Sequence, residues 1–585
     1  MLKVFKNLTK KEWLLVGISI LFIVMQVWLE LTMPDYMSDI TTLVQTAGST
    51  MSEVLTAGGK MLLCALGSLI ASVLTSICAS KIASNFSAIL RGKLFHKVQT
   101  FSMEEIGNFS TASLITRSTN DINQVQLLIV MGLQVLIKAP ITAVWAICKI
   151  SGKNSEWTIS TGIAVICLLV VLSICLFIAV PKFKQVQTLT DNLNRVTREN
   201  LTGLRVVRAY NAEEYQEDKF KKVNQDLTST NLFTARTMSF VMPSIQLIMS
   251  SLSLSIYWIG AILINNSADM VNKTALFSDM IVFSQYAIQI IMSFMMLVII
   301  FIIFPRASVA ADRINEVLYT ETKIKDGTLE NNDTNIKGQV EFKNVSFRYP
   351  DAEEDVITNI TFKANKGETV AFIGSTGSGK STIINLVPRF YDVTQGEVLV
   401  DGINVKEYTQ KALRNKIGYV SQKSILFTGT ISSNVAYGDN GRDDLNDYVE
   451  NSIRISQAEE FVSKLTDKYN SYVAQNGSNF SGGQKQRISI ARAICRQPEI
   501  LIFDDSFSAL DYKTDRILRD ALDKYCKGTT KLIVAQRIGT IMGADRIIVL
   551  DDGQIVGNST HKELMSNCDV YQQIAYSQLS KEELE

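Results

Sequence analysis

Long apolar stretches separated by polar segments fill the first half of the chain. Six of them precede residue 310 and cover 14–33, 61–79, 127–148, 159–180, 238–264 and 280–304. Each has about the 20 residues that an α-helix needs to cross the hydrocarbon core of a bilayer. The first is too long for the apolar core of a signal peptide, so we expect it to be retained. The pattern predicts an α-helical, six-span membrane domain over residues 1–310.

The polar connections between these stretches alternate in length and charge. Those after the second and fourth stretches are long and rich in Lys and Arg, whereas the other three are shorter and poorer in both. Since basic connections stay in the cytoplasm, the N-terminus, both long connections and the second half of the chain are predicted on that side of the plasma membrane. Apolar residues recur at helical spacing in 89–101 and 201–210, so we expect the second to fifth spans to continue beyond the membrane as helices.

Two charged residues interrupt the apolar stretches. Lys138 stands close to Pro140 in the third, and Asp279 lies at the start of the sixth. Charge within a membrane is costly and by default suggests a function. Here the structural explanations are favoured: Lys138 faces a wet cavity or reaches the interface, and Asp279 lies at the interface. One face of the sixth stretch is rich in Met and Phe. It consists of Phe283, Met292, Phe294, Met295 and Met296, and it predicts either an adaptable apolar cavity or plain helix packing.

The pattern changes after residue 310. Residues 311–339 are polar, with Asn, Asp and Thr in a row at 331–335, which is typical of a linker. Beyond it, runs of strand-forming residues alternate with helical stretches, at 340–347, 369–373, 501–503, 531–535 and 546–550. This alternation predicts an α/β domain with a partly parallel sheet over residues 340–585.

Composition narrows the possible functions. The 585 residues include 58 Lys and Arg against 57 Asp and Glu, and a net charge of +1 gives no reason to expect a nucleic-acid partner. The eight cysteines lie mostly in apolar runs without the spacing of metal ligands. They are best explained as small buried hydrophobes in a reduced compartment, not as a disulfide framework or a zinc site.

A glycine-rich motif follows the strand-like run at 369–373. Residues 374–382 read GSTGSGKST and fit G-x-x-x-x-G-K-[ST], the phosphate-binding loop. Its glycines let the backbone aim N–H groups inward, its lysine reaches the β- and γ-phosphates, and the serine after it takes a place on Mg²⁺. The residues expected to bind ATP here are Gly374, Ser375, Thr376, Gly377, Ser378, Gly379, Lys380, Ser381 and Thr382. An acid at the end of the run 501–503, Asp504, is expected to hold Mg²⁺ through water.

Residues 480–484, FSGGQ, followed by KQRISIARA, resemble the signature of ATP-binding cassette (ABC) proteins. Tyr349 in FRYP resembles the family's adenine-stacking aromatic residue, and Gln422 in YVSQ resembles the glutamine that meets Mg²⁺ and the membrane domain. The six spans and ENLTGLRVVRAY at 199–210 resemble the exporter-type half-transporters. The resemblance implies two chains paired head to tail, so that each ATP lies between one phosphate-binding loop and the partner's signature, which here is Ser481, Gly482, Gly483 and Gln484.

Two residues depart from the family pattern. The family's catalytic Glu is replaced by Asp505, and its switch histidine by Gln536. Losing one methylene withdraws the carboxylate by about 1.5 Å, and a misplacement of about 1 Å can cost on the order of 100-fold in rate. Gln donates a hydrogen bond but cannot become a cation or carry a proton. Both changes weaken hydrolysis while leaving ATP and Mg²⁺ binding possible.

These features together resemble the degenerate-site subunit of a bacterial heterodimeric multidrug exporter. The expected function is ATP-driven export of amphipathic compounds, whether drugs, lipids or peptides, with the intact signature completing a competent site on a second half-transporter chain. Besides that chain, the expected partners are membrane lipid and the amphipathic substrate. The alternatives are a homodimeric exporter with a slow ATPase, a regulatory or channel-like subunit, and an importer. The residues leave the substrate's identity open.

Overall fold

The computed structural model describes residues 2–46, 48–267, 269–330, 336–438 and 445–584. The chain forms two compact units, one made of Met1–Gln99 and Ser110–Thr320 and the other of Thr100–Phe109 and Glu321–Glu585. The polar run predicted at 331–335 lies outside the described residues.

Six long helices make up the first unit, and each contains one predicted apolar stretch. They cover Lys10–Gln45, Met51–Gln99, Thr111–Ile150, Ser155–Thr202, Glu213–Asn266 and Met270–Tyr319, with short helices at Leu2–Phe5 and Leu204–Ala209. All six are long and apolar enough to cross a membrane. This confirms the prediction of a helical, six-span membrane domain.

Capping residues define where several of these helices begin. Thr9 and Glu12 form a capping box at the first, in which each side chain bonds the other residue's backbone N–H. The side chains of Asn154 and Asp269 accept backbone N–H groups at the start of the fourth and sixth. Each cap satisfies a donor that the helix itself leaves unpaired.

The third long helix contains two π-helical segments, Arg117–Asp121 and Gly132–Leu136. Pro140 accounts for the second, because its ring would clash with the carbonyl four residues earlier, that of Leu136, and it has no N–H to donate there. A wider turn is the backbone change that relieves such a clash. This stretch of the helix is therefore irregular just before Lys138.

Large side chains fill the core of the first unit. Trp157 and Phe283 are almost fully buried, with ring centroids 5.5 Å apart. Phe294 and Met295 pack against the same cluster, whereas Met292 is 40% exposed. Most of the Met and Phe face of the sixth helix is thus engaged in helix packing, which is the second of the two expected roles.

The sixth helix runs to Tyr319, so residues 311–319, expected in the linker, are helical. The reason is a buried stripe at helical spacing, formed by Ala307, Ala310, Ala311, Ile314 and Val317. The polar residues between these positions gave the segment the composition of a linker, although only one of its faces is polar.

Over the residues that the structure describes, twelve strands form the framework of the second unit. They are β1 Val340–Phe347, β2 Ile357–Ala364, β3 Thr369–Gly374, β4 Gln395–Val400, β5 Ile403–Asn404, β6 Ile417–Val420, β7 Gly429–Thr430, β8 Tyr472–Val473, β9 Ile500–Asp504, β10 Thr530–Val534, β11 Arg546–Asp551 and β12 Gln554–Ser559. The main sheet has the order β12-β11-β3-β10-β9-β6, in which β12 alone is antiparallel to its neighbour. The predicted α/β domain with a partly parallel sheet is confirmed.

A smaller antiparallel sheet, in the order β2-β1-β4-β5, packs on the main sheet. The α-helices of this unit are Met103–Asn108, Lys380–Leu386, Gln410–Asn415, Ile431–Val435, Leu445–Ile455, Glu459–Val462, Gly482–Cys495, Tyr512–Tyr525, Ile538–Ile541, His561–Asn567, Asp569–Gln578 and Lys581–Leu584. In a parallel sheet of this kind, ligands bind beyond the carboxyl ends of the strands.

Candidate nucleotide site

The phosphate-binding loop connects β3 to the helix that begins at Lys380. Gly377 and Gly379 have φ values of 90° and 89°, in the left-handed region that favours glycine. A Cβ on Gly379 would lie 2.4 Å from Cγ2 of Ile357, whereas a Cβ on Gly377 would meet nothing within 4 Å. The loop is thus packed against the domain on one side and open on the other, where the phosphates of a nucleotide have room.

Lys380 lies folded against its own loop. Its Nζ donates to the carbonyl oxygens of Gly374 at 2.9 Å and Ser375 at 2.6 Å, and to Oγ of Ser378 at 3.3 Å. Burial lowers the pKa of this ammonium, and the negative charges of Asp505 and Asp504 partly offset the effect. Because burial disfavours the charged ammonium, an anionic phosphate bound beside it would stabilise that charge.

Asp504 and Ser381 meet across the site. The Ser381 hydroxyl donates to Oδ1 of Asp504 at 2.7 Å, and burial raises the pKa of the Asp504 carboxyl. Both supply oxygen, the ligand atom that Mg²⁺ prefers. Among the residues that the structure describes, no group of three or more His, Cys, Asp or Glu could hold a metal. Two oxygen ligands suit Mg²⁺, which takes one or two protein oxygens and completes its shell with phosphate and water.

The sheet order brings together three residues that lie far apart in sequence. Gln536 follows β10, Asp505 follows β9 and Gln422 follows β6, and these three strands are neighbours in the main sheet. Oδ2 of Asp505 accepts from Nε2 of Gln536 at 2.8 Å and from Nε2 of Gln422 at 3.3 Å. The three side chains form one cluster, which we call the amide–carboxylate cluster.

The backbone also holds Asp505 in place. Its φ is 47°, and its N–H donates to the carbonyl oxygen of Val534 at 3.0 Å. Asp tolerates this left-handed conformation better than most residues do. Burial raises the pKa of its carboxyl, and the hydrogen bond from Gln422 opposes that rise. The result is a short carboxylate tied by two neutral amides.

Tyr349 lies beside the helix that follows the loop. Its hydroxyl is 3.2 Å from Oγ1 of Thr382, and its ring meets those of Phe347 and Tyr391 edge-on, with centroids 4.9 and 5.3 Å away. These contacts fix the ring close to the phosphate-binding loop. An aromatic ring held there can stack on a nucleotide base.

The signature residues lie apart from this cluster, at the start of the helix Gly482–Cys495. Ser481 and Gln484 form a capping box, with Gln484 N–H to Ser481 Oγ at 3.4 Å and Ser481 N–H to Gln484 Oε1 at 2.9 Å. Ser481 and Gly482 are exposed to solvent, and a Cβ on Gly483 would lie 3.2 Å from the carbonyl oxygen of Ala509. The described contacts do not join these residues to the phosphate-binding loop.

Arg537 belongs to the site but was not among the predicted residues. Its Nη2 donates to the carbonyl oxygen of Ser508 at 3.0 Å and its Nη1 to that of Leu510 at 3.3 Å. Burial raises the pKa of the Asp505 carboxyl, and the charge of Arg537 offsets part of that rise. The one signal in the sequence was its position next to Gln536.

In the first unit, each charged candidate has a partner of opposite charge. Lys138 Nζ lies 2.9 Å from Oε1 of Glu30, and Lys153 Nζ lies 2.5 Å from Oδ1 of Asp279. A third pair joins Lys149 to Asp35, at 2.6 Å. The sequence reasoning singled out Lys138 and Asp279 but missed Glu30, which stands inside the first apolar stretch.

Comparison with known proteins agrees with this architecture. Residues 16–304 match the family described as ABC transporter transmembrane region, and residues 357–508 match the family described as ABC transporter. An uncharacterized ABC transporter ATP-binding protein of Mycobacterium tuberculosis is 38% identical over 89% of this chain and 87% of its own length. The uncharacterized ABC transporter ATP-binding protein YfiB of Bacillus subtilis is 36% identical over 88% of this chain and 87% of its own.

Two further comparisons concern proteins with more specific descriptions. The ATP-dependent lipid A-core flippase of Pseudomonas putida is 31% identical over 85% of this chain and 80% of its own length. A bacterial Atm1-family ABC exporter, solved with ATP bound, shares the fold with a TM-score of 0.81 at 21% identity, over 97% of this chain and 99% of that one. The six membrane-type helices, the ATPase fold and these relatives show that the chain belongs to the ABC transporter family, as a half-transporter with the exporter architecture that binds ATP with Mg²⁺.

Proposed function

We propose that this chain is one subunit of a heterodimeric, ATP-driven exporter of amphipathic compounds. Its own nucleotide site binds ATP but hydrolyses it slowly, and its signature completes a competent site on the partner chain. The observation that carries this proposal is the amide–carboxylate cluster, in which Asp505 is held by Gln536 and Gln422. In the bacterial plasma membrane, the second unit would lie in the cytoplasm, where ATP is.

The cluster favours binding over hydrolysis for two reasons. Asp505 is one methylene shorter than Glu, and both amides bond the same oxygen, Oδ2, which draws the carboxylate toward them. A catalytic base must lie within about 2.6–3.2 Å of the proton it takes. Gln536 can donate to a phosphate oxygen, but it has no titratable proton to transfer near neutral pH. The site can thus hold a nucleotide while its water-activating group is poorly placed.

The remaining contacts support tight nucleotide binding. Lys380 would leave the loop carbonyls for the β- and γ-phosphates, while Tyr349 would pack on the adenine. Ser381 and Asp504 would hold Mg²⁺, with Gln422 close by. When bound, the ion neutralises phosphate charge and orients the phosphate oxygens. The exposed start of the helix Gly482–Cys495 leaves Ser481, Gly482, Gly483 and Gln484 free to meet a nucleotide held by another chain.

The relatives support an amphipathic substrate. Two of the similar proteins are described as lipid A-core flippases, and they match this chain at 30–31% identity. A lipid combines an apolar tail with a polar head, as the proposed substrates do. Export of such compounds therefore fits both the fold and the relatives.

The test of this proposal is the composition of the native complex. The chain would be tagged in its own cells, extracted gently and weighed intact by native mass spectrometry. We expect one copy of the 65.1 kDa chain beside a second membrane-bound ABC subunit that carries a catalytic Glu. A complex of two identical 65.1 kDa chains would refute the heterodimer and favour a homodimer in which Asp505 is the slow catalytic base.

A further inference from the structure

Glu30 on the first long helix and Lys138 on the third form an ion pair, in which Glu30 has more hydrogen-bond partners than Lys138 has. Oε1 of Glu30 accepts from Lys138 Nζ at 2.9 Å, from Nε2 of Gln26 at 2.8 Å and from Oγ of Ser68 at 3.2 Å. Glu30 therefore keeps two neutral donors if the ammonium moves away. Lys138, in contrast, has a described polar contact to Glu30 alone. Of the two charges, the lysine is the one free to change partner.

The position of the pair argues against a purely structural role. Both residues lie within apolar stretches that cross the membrane, yet their side chains remain 21% and 24% exposed. A buried ion pair is often no more stabilising than apolar residues of similar volume, so its presence is weak evidence for a role in stability. Charge that stays partly accessible at membrane depth in one chain meets water, a ligand or the partner chain, since contact with lipid tails is too costly.

The third helix is also irregular at this point. The π-helical segment Gly132–Leu136 ends just before Lys138, and such segments often occur at functional sites. Within it, Nε2 of Gln134 donates to Oγ of Ser76 at 2.9 Å. Polar side chains from the first three long helices therefore meet here.

We propose that Lys138 recognises a phosphate or carboxylate on the head of the transported amphiphile, with Glu30 as its counter-ion at rest. This inference rests on the proposed export of amphipathic compounds. The anionic head displaces Glu30 from the ammonium, while Gln26 and Ser68 continue to stabilise the Glu30 carboxylate. The apolar tail remains among the surrounding side chains. The site selects against amphiphiles with only a cationic head, which Lys138 repels.

Direct binding tests this proposal without ATP. The purified complex containing the full chain would be titrated, by fluorescence anisotropy, with dye-labelled amphiphiles that share one tail and differ in the head. The heads are phosphoglycerol, carboxylate, trimethylammonium and a neutral glucoside, the last giving the affinity of the tail. We expect Lys138→Gln to lower the affinity for the phosphate or the carboxylate probe by about tenfold to a hundredfold and to leave the affinity for the neutral probe unchanged. The anionic probe whose affinity falls identifies the class of head.

The variant Glu30→Gln should change the affinity in the opposite direction. It removes the internal competitor for the ammonium, so it should raise the affinity for the same anionic probe severalfold. A structural ion pair predicts instead that both variants act in the same direction. The matched control is Lys149→Gln, which removes an equal charge further along the same helix, where Lys149 is paired with Asp35. We expect it to leave all four affinities unchanged.

Three results would overturn the proposal. The first is an affinity for the anionic probes that Lys138→Gln leaves unchanged. The second is a lower affinity in both Lys138→Gln and Glu30→Gln, and the third is an equal loss of affinity in Lys149→Gln. An unchanged affinity for the neutral probe shows that a variant is folded. Binding is measured without nucleotide, so the binding result is independent of the proposed function. A homodimer in native mass spectrometry or a lack of export would refute the proposed function without changing the measured affinities.

Discussion

At the scale of single residues, Asp505 is a short side chain that its neighbours hold firmly. Its backbone is left-handed, with φ 47°, and two amides bond one oxygen of its carboxylate. Lengthening the side chain at the same backbone position moves the carboxylate by about 1.5 Å. By the resemblance in sequence, Gln536 stands where the family has a histidine. The two positions should therefore be changed together.

We predict that Asp505→Glu with Gln536→His raises ATP hydrolysis at this chain's own site by about 100-fold. The physical reason is a carboxylate within reach of the attacking water and a ring that can exchange a proton. The measurement is phosphate release by the purified complex. Lys380→Ala in the same variant is the control and should remove the gain, since it removes phosphate binding. A rate that stays at the starting level would show that the cluster does not limit hydrolysis.

At the scale of elements, the phosphate-binding loop provides a matched pair of glycines. Gly377 and Gly379 have nearly equal φ values, 90° and 89°, but only the second is packed against a neighbour. Any residue with a Cβ is strained at both positions. The difference between the two substitutions therefore measures the packing of the loop against Ile357.

We predict that Gly379→Ala destabilises the chain more than Gly377→Ala. Backbone strain costs roughly 1–2 kcal/mol at either position, and the contact of 2.4 Å with Ile357 adds about 1–3 kcal/mol at Gly379 alone. The measurement is the thermal unfolding temperature of the purified full chain without nucleotide. Equal shifts for the two variants would mean that Ile357 yields without cost.

The elements differ in how far the sequence predicts them. The apolar stretches and the strands β3 and β9 could be predicted, because their length and periodicity are local properties. The helix over 311–319 could not, since its buried stripe of Ala, Ile and Val alternates with charged residues. The pairing of Lys138 with Glu30 depends on how two helices pack, and the amide–carboxylate cluster depends on the strand order β10-β9-β6. Neither arrangement is encoded in a single stretch of sequence.

At the scale of the whole molecule, the chain contains two sets of candidate nucleotide-binding residues with different expected roles. The phosphate-binding loop, Asp504 and Asp505 form this chain's own candidate site, whereas the signature around Ser481 lies elsewhere on the same unit. If hydrolysis takes place mainly at the partner's site, a substitution in the signature should lower the rate of ATP hydrolysis more than a substitution of Asp505 does. This asymmetry can be measured in the intact complex.

We predict that Ser481→Ala lowers ATP hydrolysis by the complex at least tenfold, because it removes a hydroxyl that would contact the partner's nucleotide. Asp505→Asn should change the rate less than twofold. Ser481 also caps a helix, and losing a cap costs about 1 kcal/mol. Thr560→Ala is the matched control, since Thr560 forms the same capping box at the helix His561–Asn567. It should leave hydrolysis unchanged. A large loss in Asp505→Asn with little effect of Ser481→Ala would place hydrolysis at this chain's own site and contradict the asymmetry.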